Sequence, residues 1–390
     1  MSVYISSNSN RFYCAIETNY GQVPPITQSN RIPSVKLTAK QQLDVTTRKD
    51  KTGSRTFAGL PPGGRRKTSF QLTTLLTTWA GGSMGPSYGP LFQAALGATP
   101  LTFGGGTAGA GSTGTSLTFA SPHGLTTGQA LTYLDEIRFI SAILNTTTVQ
   151  LNTPFSSDPV QGSVIGPTMT YFLSTTLPSV SIFDYWSPSS AVHRILCGGG
   201  INRMGIKVNG DYHEFQFSGV AQDLTDTGSF SSGIGQLAAF PAEPTIGAFD
   251  YSVVPGHMGQ VWLGSSPSRF STLTDGQIVL DNNLDVRARE FGSNVPKALS
   301  AGTRSVSIDF ELYEQDDPAT QGLYQAAKQQ SPITAMLQLG QQPGQLFGAY
   351  LKSVLPEVPE YDDSEHRLKW HFATSRAQGT IDDELAIAFG

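Results

Sequence analysis

The sequence is poor in charged residues and in cysteine, and both shortages limit what the chain can be. Of its 390 residues, 25 are Lys or Arg and 30 are Asp or Glu, so 14% are charged and the net charge is −5. Soluble proteins usually carry about a quarter of charged residues, and we therefore expect much of this surface to be covered by protein. Cys14 and Cys197 are too few for a disulfide framework or a CxxC zinc site. Packing and partners must supply the stability.

Long apolar runs and basic stripes are also missing. No segment approaches the ~18 uninterrupted apolar residues of a membrane span, and residues 1–8 have neither the basic start nor the apolar stretch of a secretion signal. We therefore expect assembly in a cytoplasm and no membrane partner. The only dense basic stretch is Arg65-Arg66-Lys67, which argues against a protein that wraps DNA or binds membrane surfaces.

Alternation of polar and apolar residues dominates what is present, and it predicts half-buried β-strands. The alternating runs are 36–38, 68–72, 206–208, 214–217, 305–312 and 369–372. Turn signals at 61–64 and at Asn209-Gly210 separate them. Helices are predicted around 91–96, around 323–328 behind Asp316-Asp317-Pro318, and over 71–79. The predicted fold class is mainly β, with a few helices.

Four segments recur in the same order and predict an internal repeat. Each pair is a first segment and its later match: 43–45 with Arg48 and 284–286 with Arg289, 64–72 and 302–312, 91–95 and 323–327, and 212–222 and 367–378. The period is too long for a solenoid. We therefore expect two copies of one β fold, each a sandwich or barrel with a helix.

The first copy is longer than the second because a further segment interrupts it. Residues 100–114 are rich in Gly, Ala and Thr and are predicted to be a flexible linker, and short strand signals follow at 116–119, 137–140 and 148–151. This pattern predicts a small β module inserted in a loop. The predicted domains are an N-terminal arm at 1–33, a first β domain at 34–98 and 174–245, the inserted module at 99–173, and a second β domain at 246–390.

Motifs that could carry chemistry are weak, and we predict no catalytic, cofactor-binding or metal site. The GxGxxG match at 109–114 precedes a strand, and the GxSxG match at 81–85 is followed by Pro86. The histidines never take a metal-binding spacing; they are His123, His193, His213, His257, His366 and His371. Acidic clusters at 357–365 and 382–384 are interpreted as solvated surface or as the lining of a passage for something negative.

The duplicated unit, the Gly-rich surface, the long arms and the missing chemistry together resemble the tail tube proteins of long-tailed bacteriophages. The segments that carry the resemblance are 302–312, 323–327 and 369–372, with their repeat at 64–95 and 214–217. The stretch 119–128 is similar to small β modules of phage structural proteins. The resemblance covers nearly the whole chain, although no single motif is diagnostic.

The resemblance implies a virion protein whose rings stack into a tail tube, a passive conduit for DNA during genome ejection. Most such proteins have one copy of the fold per chain and six chains per ring, so two copies imply a ring of three chains with pseudo-sixfold symmetry. Tape measure, tail terminator and tail tip proteins would be its other partners. Duplex DNA would pass without specific binding, and for that reason we expect more acidic than basic side chains on the strands that line the lumen.

Three alternatives remain open at the level of the sequence. One is a capsid-surface or cement protein, which the inserted module and the low charge also suit. Another is a carbohydrate-binding tail protein that uses Tyr185 and Trp186 of a predicted exposed aromatic loop at 184–188. An enzyme comes last, because it would need acidic or histidine side chains to converge in a pocket.

Overall fold

The computed structural model describes residues 4–44, 50–57, 59, 64–79, 83–247, 251–287 and 289–390. Strands hold 45% of the residues and helices hold 7%, whereas an average globular protein has about 20–25% strand. The predicted class, mainly β with a few helices, is confirmed.

The elements follow one another in a long alternation of short strands. The first group is β1 (Asn10–Ile16), β2 (Arg31–Ile32), β3 (Ser34–Leu43), β4 (Arg66–Leu75) and helix α1 (Gly89–Leu96). The next group is β5 (Leu101–Phe103), β6 (Gly106–Thr107), β7 (Ser116–Thr118), β8 (Ala130–Tyr133), β9 (Glu136–Ile143), β10 (Thr148–Leu151), β11 (Val164–Gly166) and β12 (Thr168–Phe172). Short 3-10 helices lie at Gln28–Asn30 and Ile234–Gln236.

The second half of the chain begins with two long strands. Its elements are β13 (Val180–Trp186), β14 (Arg194–Val208), β15 (Glu214–Ala221), β16 (Asp223–Asp226), β17 (Gly259–Gly264), β18 (Ser268–Phe270), β19 (Leu273–Asp281), β20 (Asp285–Val286), β21 (Leu299–Ser300), β22 (Ser305–Tyr313), helix α2 (Pro318–Gln329), β23 (Ile333–Leu339), β24 (Phe347–Leu355), β25 (Glu360–Asp362), β26 (Lys369–Ala377) and β27 (Ala386–Phe389).

All six alternating runs lie in strands, and two of the three predicted helices form. Helix α2 begins where its sequence signal predicts, because the Asp317 carboxylate accepts hydrogen bonds from the Ala319 and Thr320 backbone N–H groups at 2.8 and 3.0 Å. The predicted helix over 71–79 is wrong. Residues 71–75 continue β4, where apolar residues alternate with polar ones and the β-branched threonines suit a strand.

The strand order occurs twice. In what we call the first repeat, hydrogen-bonded neighbours run β2-β1-β13-β14-β15-β4-β3, with α1 following β4 in the chain. In the second repeat they run β18-β17-β23-β24-β26-β22-β19, with α2 following β22. Every neighbouring pair is antiparallel. Seven strands and a helix therefore take the same connectivity in both repeats.

Local irregularities recur at the same points, which fixes the alignment of the two repeats. The β3–β4 ladder has a bulge between Ser34 and Lys36, and the β19–β22 ladder has one between Leu273 and Asp275. In both ladders the bulge adds one unpaired residue near the start of the first strand, β3 or β19. Lys36 therefore corresponds to Asp275.

The alignment differs in one place from the one that the sequence suggests. Gly64 and Gly302 each lie against a backbone oxygen just beyond the end of an equivalent strand, that of Asp44 after β3 and that of Asn283 after β19. Counting forward from these two glycines, Leu72 corresponds to Phe310 rather than to Leu312, and each lies opposite a phenylalanine of the next strand, Leu72 opposite Phe217 and Phe310 opposite Phe372. The matched segment 43–45 lies only partly within the described residues.

The inserted module has a sheet of its own, in the order β6-β11-β8-β9-β10-β7, and a separate apolar core. The flanking strands β5 and β12 pair with each other, and β12 also pairs with β27 in the large sheet. The predicted flexible linker over 100–114 is wrong, because Leu101–Phe103 and Gly106–Thr107 are strands. Where the predicted domain boundaries lie within this continuous packing stays a prediction.

Arg138 anchors the module to the second repeat. Its side chain is fully buried, donates to Glu136 Oε1 at 2.7 Å and to Gln338 Oε1 at 2.9 Å, and lies over the Trp262 ring. Burial lowers the pKa of Arg138 to about 10, and Glu136 opposes that shift. Because a buried charge needs a partner, this contact fixes the module in one orientation.

Segments near both ends of the sequence are built into the large sheet. Residues 10–16 were predicted to lie in the N-terminal arm, but they form β1, where Tyr13 and Cys14 are fully buried against β13. The C-terminal residues 386–389 form β27 between β12 and β24, and Phe389 is fully buried. Apolar strand residues found partners within the chain in both segments, so the prediction of an N-terminal arm is wrong for residues 10–16. Among the described residues, no helix has the length and apolarity to cross a membrane.

Candidate assembly edges

Eight antiparallel strands form one continuous curved sheet through both repeats. Their order is β3-β4-β15-β14-β19-β22-β26-β25. One face carries buried apolar side chains such as Phe217, Ile278 and Phe310. The opposite face, which we call the polar face, carries the alternate residues. The sheet is therefore a half-barrel with one apolar face and one polar face.

The two repeats meet in the middle of this sheet, at what we call the internal junction. Residues 203–208 of β14 pair with residues 276–281 of β19 in six consecutive positions, including Ile206 opposite Ile278 and Lys207 opposite Gln277. Arg203 lies opposite Asp281 on the polar face. Cross-strand pairs of opposite charge are favourable, so a basic strand meets an acidic one here.

A loop of the second repeat strengthens the junction. The Asn282 side-chain amide donates to the carbonyl oxygens of Ala95 and Ile201 at 2.9 and 3.0 Å. The Leu284 N–H donates to Asn202 Oδ1 at 2.7 Å, further along the same loop. The Asn282 side chain thereby satisfies carbonyls of α1 and β14 that are buried at the contact. The repeats are held by backbone pairing and by buried side-chain hydrogen bonds.

Close approach of β14 and β15 bends the sheet. A Cβ atom at Gly219 would collide with the carbonyl oxygen of Gly200, so only glycine fits at this position. A register shift between Ile201 and Arg203 lies beside it. The bend separates the half of β14 that packs in the sandwich from the half that forms the internal junction.

The charges on the polar face balance. The strand residues that alternate onto it include seven basic ones, Lys36, Lys40, Lys67, Arg203, Lys207, Lys369 and Arg376, and seven acidic ones, Glu214, Asp275, Asp281, Asp309, Glu311, Glu360 and Asp362. If this face lines a lumen, it lacks the excess of acidic over basic side chains that we expected for passage of DNA. The face has neither a basic stripe nor an acidic one.

Both outer strands of the half-barrel have an open edge, by which we mean a side with no backbone partner strand among the described residues. Strand β3 pairs only with β4, and β25 pairs only with β26. Lys36 and Lys40 are exposed on β3, and Glu360 is exposed on β25. In the described part of the chain, none of these three side chains has an ion-pair partner.

The predicted acidic clusters lie in two different places. The cluster 357–365 contains β25 and therefore borders an open edge. Within it Glu365 accepts from Lys369 Nζ at 2.7 Å, and that hydrogen bond raises the pKa of Lys369. In the cluster 382–384 every carboxylate has a cationic partner, because Arg304 pairs with both Asp382 and Glu384 and Lys352 pairs with Asp383.

The histidines and cysteines do not converge. His123 and His193 each bind a backbone oxygen at 3.1 Å, and His213 binds the Met258 carbonyl at 3.0 Å. Burial lowers the pKa of His213, which keeps it neutral. Burial raises the pKa of both thiols, that of Cys197 to about 12. No group of three His, Cys, Asp or Glu residues among those described could hold a metal ion.

The predicted exposed aromatic loop at 184–188 is wrong. Residues 184–186 end strand β13, and Tyr185 is fully buried, stacked on Phe183 with its hydroxyl donating to the Pro241 carbonyl at 3.1 Å. Only Trp186 is partly exposed. The aromatic pair cannot present two faces to a sugar.

The two glycine motifs have no site around them. The segment 109–114 is a turn between β6 and β7, in which Ser112 Oγ donates to the Gly109 and Thr118 carbonyls. It precedes a strand, as the sequence suggests, so it lacks the helix that a phosphate site needs. The GxSxG match at 81–85 falls partly outside the described residues.

Sequence reasoning predicted the strand at one open edge, β3, but not the strand β25 at the other. It treated 36–38 as an ordinary strand and 357–365 as an acidic surface. The signal that could have connected them is the repeat itself, since Lys207 and Asp362 occupy equivalent positions opposite Glu214 and Lys369. Charge inversion between equivalent strands indicates that each strand meets a different partner.

Comparisons with known proteins do not assign the chain to a family. No protein-family model matches the sequence, and no curated protein sequence is significantly similar to it.

Proposed function

We propose that the protein is a structural subunit that polymerises into stacked rings and forms a tube, as the tail tube proteins of long-tailed phages do. The observation that carries this proposal is the internal junction, where two copies of one fold join into a single curved sheet. A chain whose two halves already associate through strand edges has the means to continue the same association with other chains.

Ring closure follows from the geometry of a head-to-tail contact. Each repeat offers one strand edge of each kind, and only the internal pair is used within one chain. Head-to-tail association closes into a ring when the rotation per repeat divides a full turn. With six repeats in a ring, three chains suffice, and no edge remains open to aggregation.

The dimensions of such a ring suit a DNA conduit. Three chains contribute three copies of the eight-stranded surface, and strands spaced about 4.8 Å apart give a barrel about 37 Å across between backbones, before strand tilt widens it. A duplex fits inside that diameter. The balanced polar face offers no basic stripe for phosphate binding, which supports passage without specific contacts.

Negative-stain electron microscopy of the purified protein tests the proposal. We expect rings or tubes with a central channel. Single rings without end-to-end stacking would favour a capsid-surface or cement protein, and monomers at every concentration examined would refute self-assembly altogether. Binding of monomers to glycans would instead favour the carbohydrate-binding alternative.

A further inference from the structure

The internal junction predicts which edges join between chains. We infer that β3 of one copy pairs antiparallel with β25 of a second copy of this chain, in the register in which β19 pairs with β14. This inference rests on the proposed function and names the surface that carries it. The occupant of each open edge is thus the other open edge of a neighbouring copy.

Equivalence of the strands follows from their partners. Strand β3 corresponds to β19, because both pair with the strand that precedes the helix and both carry a bulge at the same point. Strand β25 corresponds to the second half of β14, because Asp362 opposite Lys369 repeats Lys207 opposite Glu214. Only one of these two equivalent pairs of edges is paired within the chain.

The register can be stated residue by residue. Ile278 lies opposite Ile206 at the internal junction, and their counterparts are Ala39 and Tyr361. Ala39 therefore faces Tyr361 of the neighbouring copy. Lys40 faces Glu360 and Thr38 faces Asp362 by the same alignment.

Charge supports this pairing and opposes the wrong ones. Strand β3 presents Lys36 and Lys40, while β25 presents Glu360 and Asp362, so a basic edge meets an acidic one. At the internal junction the signs are reversed, since β14 is basic and β19 is acidic. Strand β3 would therefore meet like charge on β14, and β25 would meet like charge on β19, which disfavours exchange of the two junctions.

The junction between chains is shorter than the internal one. Pro356 and Pro359 precede β25, and Pro359 has no N–H to donate to a neighbouring strand. Pairing is consequently limited to about residues 360–363, against six consecutive positions at the internal junction. Association between chains is therefore weaker than association between repeats, and it depends on the charged pairs.

Charge exchange tests the inference. We expect Lys40→Glu to raise the concentration needed for half-assembly by about tenfold or more, because like charges then face each other. Glu360→Lys should do the same, and the double variant should assemble within about threefold of the original protein. Lys328→Glu, at an exposed position of α2, is the matched control and should leave assembly unchanged.

Cysteine pairing tests the register independently. A mixture of Ala39→Cys and Tyr361→Cys proteins should form a disulfide between chains under mild oxidation, because directly opposed strand residues lie about 4.5–5.5 Å apart. Thr38→Cys mixed with Tyr361→Cys should not, since the two side chains would lie on opposite faces. The native thiols are buried and should not compete.

The outcomes separate the inference from the function beneath it. If rings or tubes form but neither charge exchange nor cysteine pairing behaves as described, the edge pairing is wrong and the tube proposal stands. If the protein stays monomeric in micrographs, both are overturned.

Discussion

The two repeats share their strand order but differ in what covers their helices. Helix α1 is almost entirely buried. The centroid of its Phe92 ring lies 6.0 Å from that of Phe347 in β24 of the second repeat and 5.3 Å from that of Phe389 in the adjoining strand β27. Helix α2 buries one side only and leaves Gln321, Gly322 and Gln325 exposed. The same fold is apolar throughout where a neighbouring repeat covers it, and polar where none does.

A second difference lies at the strand that joins the repeats. Strand β14 is continuous over 15 residues, whereas its counterpart is broken into β24 and β25 around two prolines. A continuous strand suits a permanent junction within one chain. An interrupted one suits a contact that forms only when two chains meet. Both differences thus lie at surfaces where a repeat contacts the other repeat or, in the proposed ring, a neighbouring chain.

Removing the equivalent aromatic side chain from each helix, Phe92 of α1 or Tyr324 of α2, should lower the stability by unequal amounts. We expect Phe92→Ala to lower the free energy of unfolding by about 3–5 kcal/mol, since it leaves a cavity in a fully buried aromatic cluster. Tyr324→Ala should cost about 1 kcal/mol, because its ring is half exposed against Trp370. Urea unfolding measures both. Equal losses would contradict the different environments of α1 and α2.

Only the first repeat carries the inserted module, which docks on the second repeat through Arg138, and breaking this contact should expose the asymmetry. Arg138→Met should destabilise the protein by about 3–5 kcal/mol, because it leaves Glu136 buried without its cation. Lys352→Met removes an exposed pair with Asp383 and should cost at most about 1 kcal/mol. Thermal unfolding compares them, and a small effect of Arg138→Met would show that the module docks without this contact.

The side-chain cap distinguishes α2 from α1, which has no such hydrogen bond. Asp317→Ala should cost about 1 kcal/mol, and Asp317→Asn should cost less because asparagine also caps. Hydrogen bonding to Thr320 lowers the pKa of Asp317 in the folded chain. Its contribution is therefore present above the ordinary carboxyl pKa and is lost as the pH falls below it. Denaturation at pH 7 and at pH 2.5 measures both effects; a cost of Asp317→Ala that is undiminished at low pH would contradict the assignment.

The smallest expected effect concerns a buried histidine that the second repeat lacks. His213 corresponds to Leu368, and burial lowers its pKa in the folded state. Below about pH 6.5, His213 binds a proton more readily in the unfolded chain than in the folded one, so the free energy of unfolding falls as the pH drops. His213→Leu should weaken this dependence between pH 7 and 5 without changing the slope below pH 4. An unchanged dependence would assign it to other groups.

Local sequence patterns predicted many of the strands and both α-helices. The errors lie where pairing with distant parts of the chain determines the structure. Alternation in 305–312 and the cap at Asp317 each produced a correct element, because strand period and capping are local properties. The helix predicted over 71–79 and the aromatic loop at 184–188 failed because β4 and β13 gain partners far away in the chain. Neither alternation nor capping predicts the open edges, because an open edge depends on which strands pair in the folded chain and not on the sequence of one strand.

Hydrogen exchange of assembled against monomeric protein tests the central claim most directly. The account predicts that amides of residues 37–40 and 360–363 that face the open edges become protected on assembly, while those of the internal junction, 203–208 and 276–281, are already protected in the monomer. Unchanged exchange at both outer strands in a protein that has formed rings would contradict it.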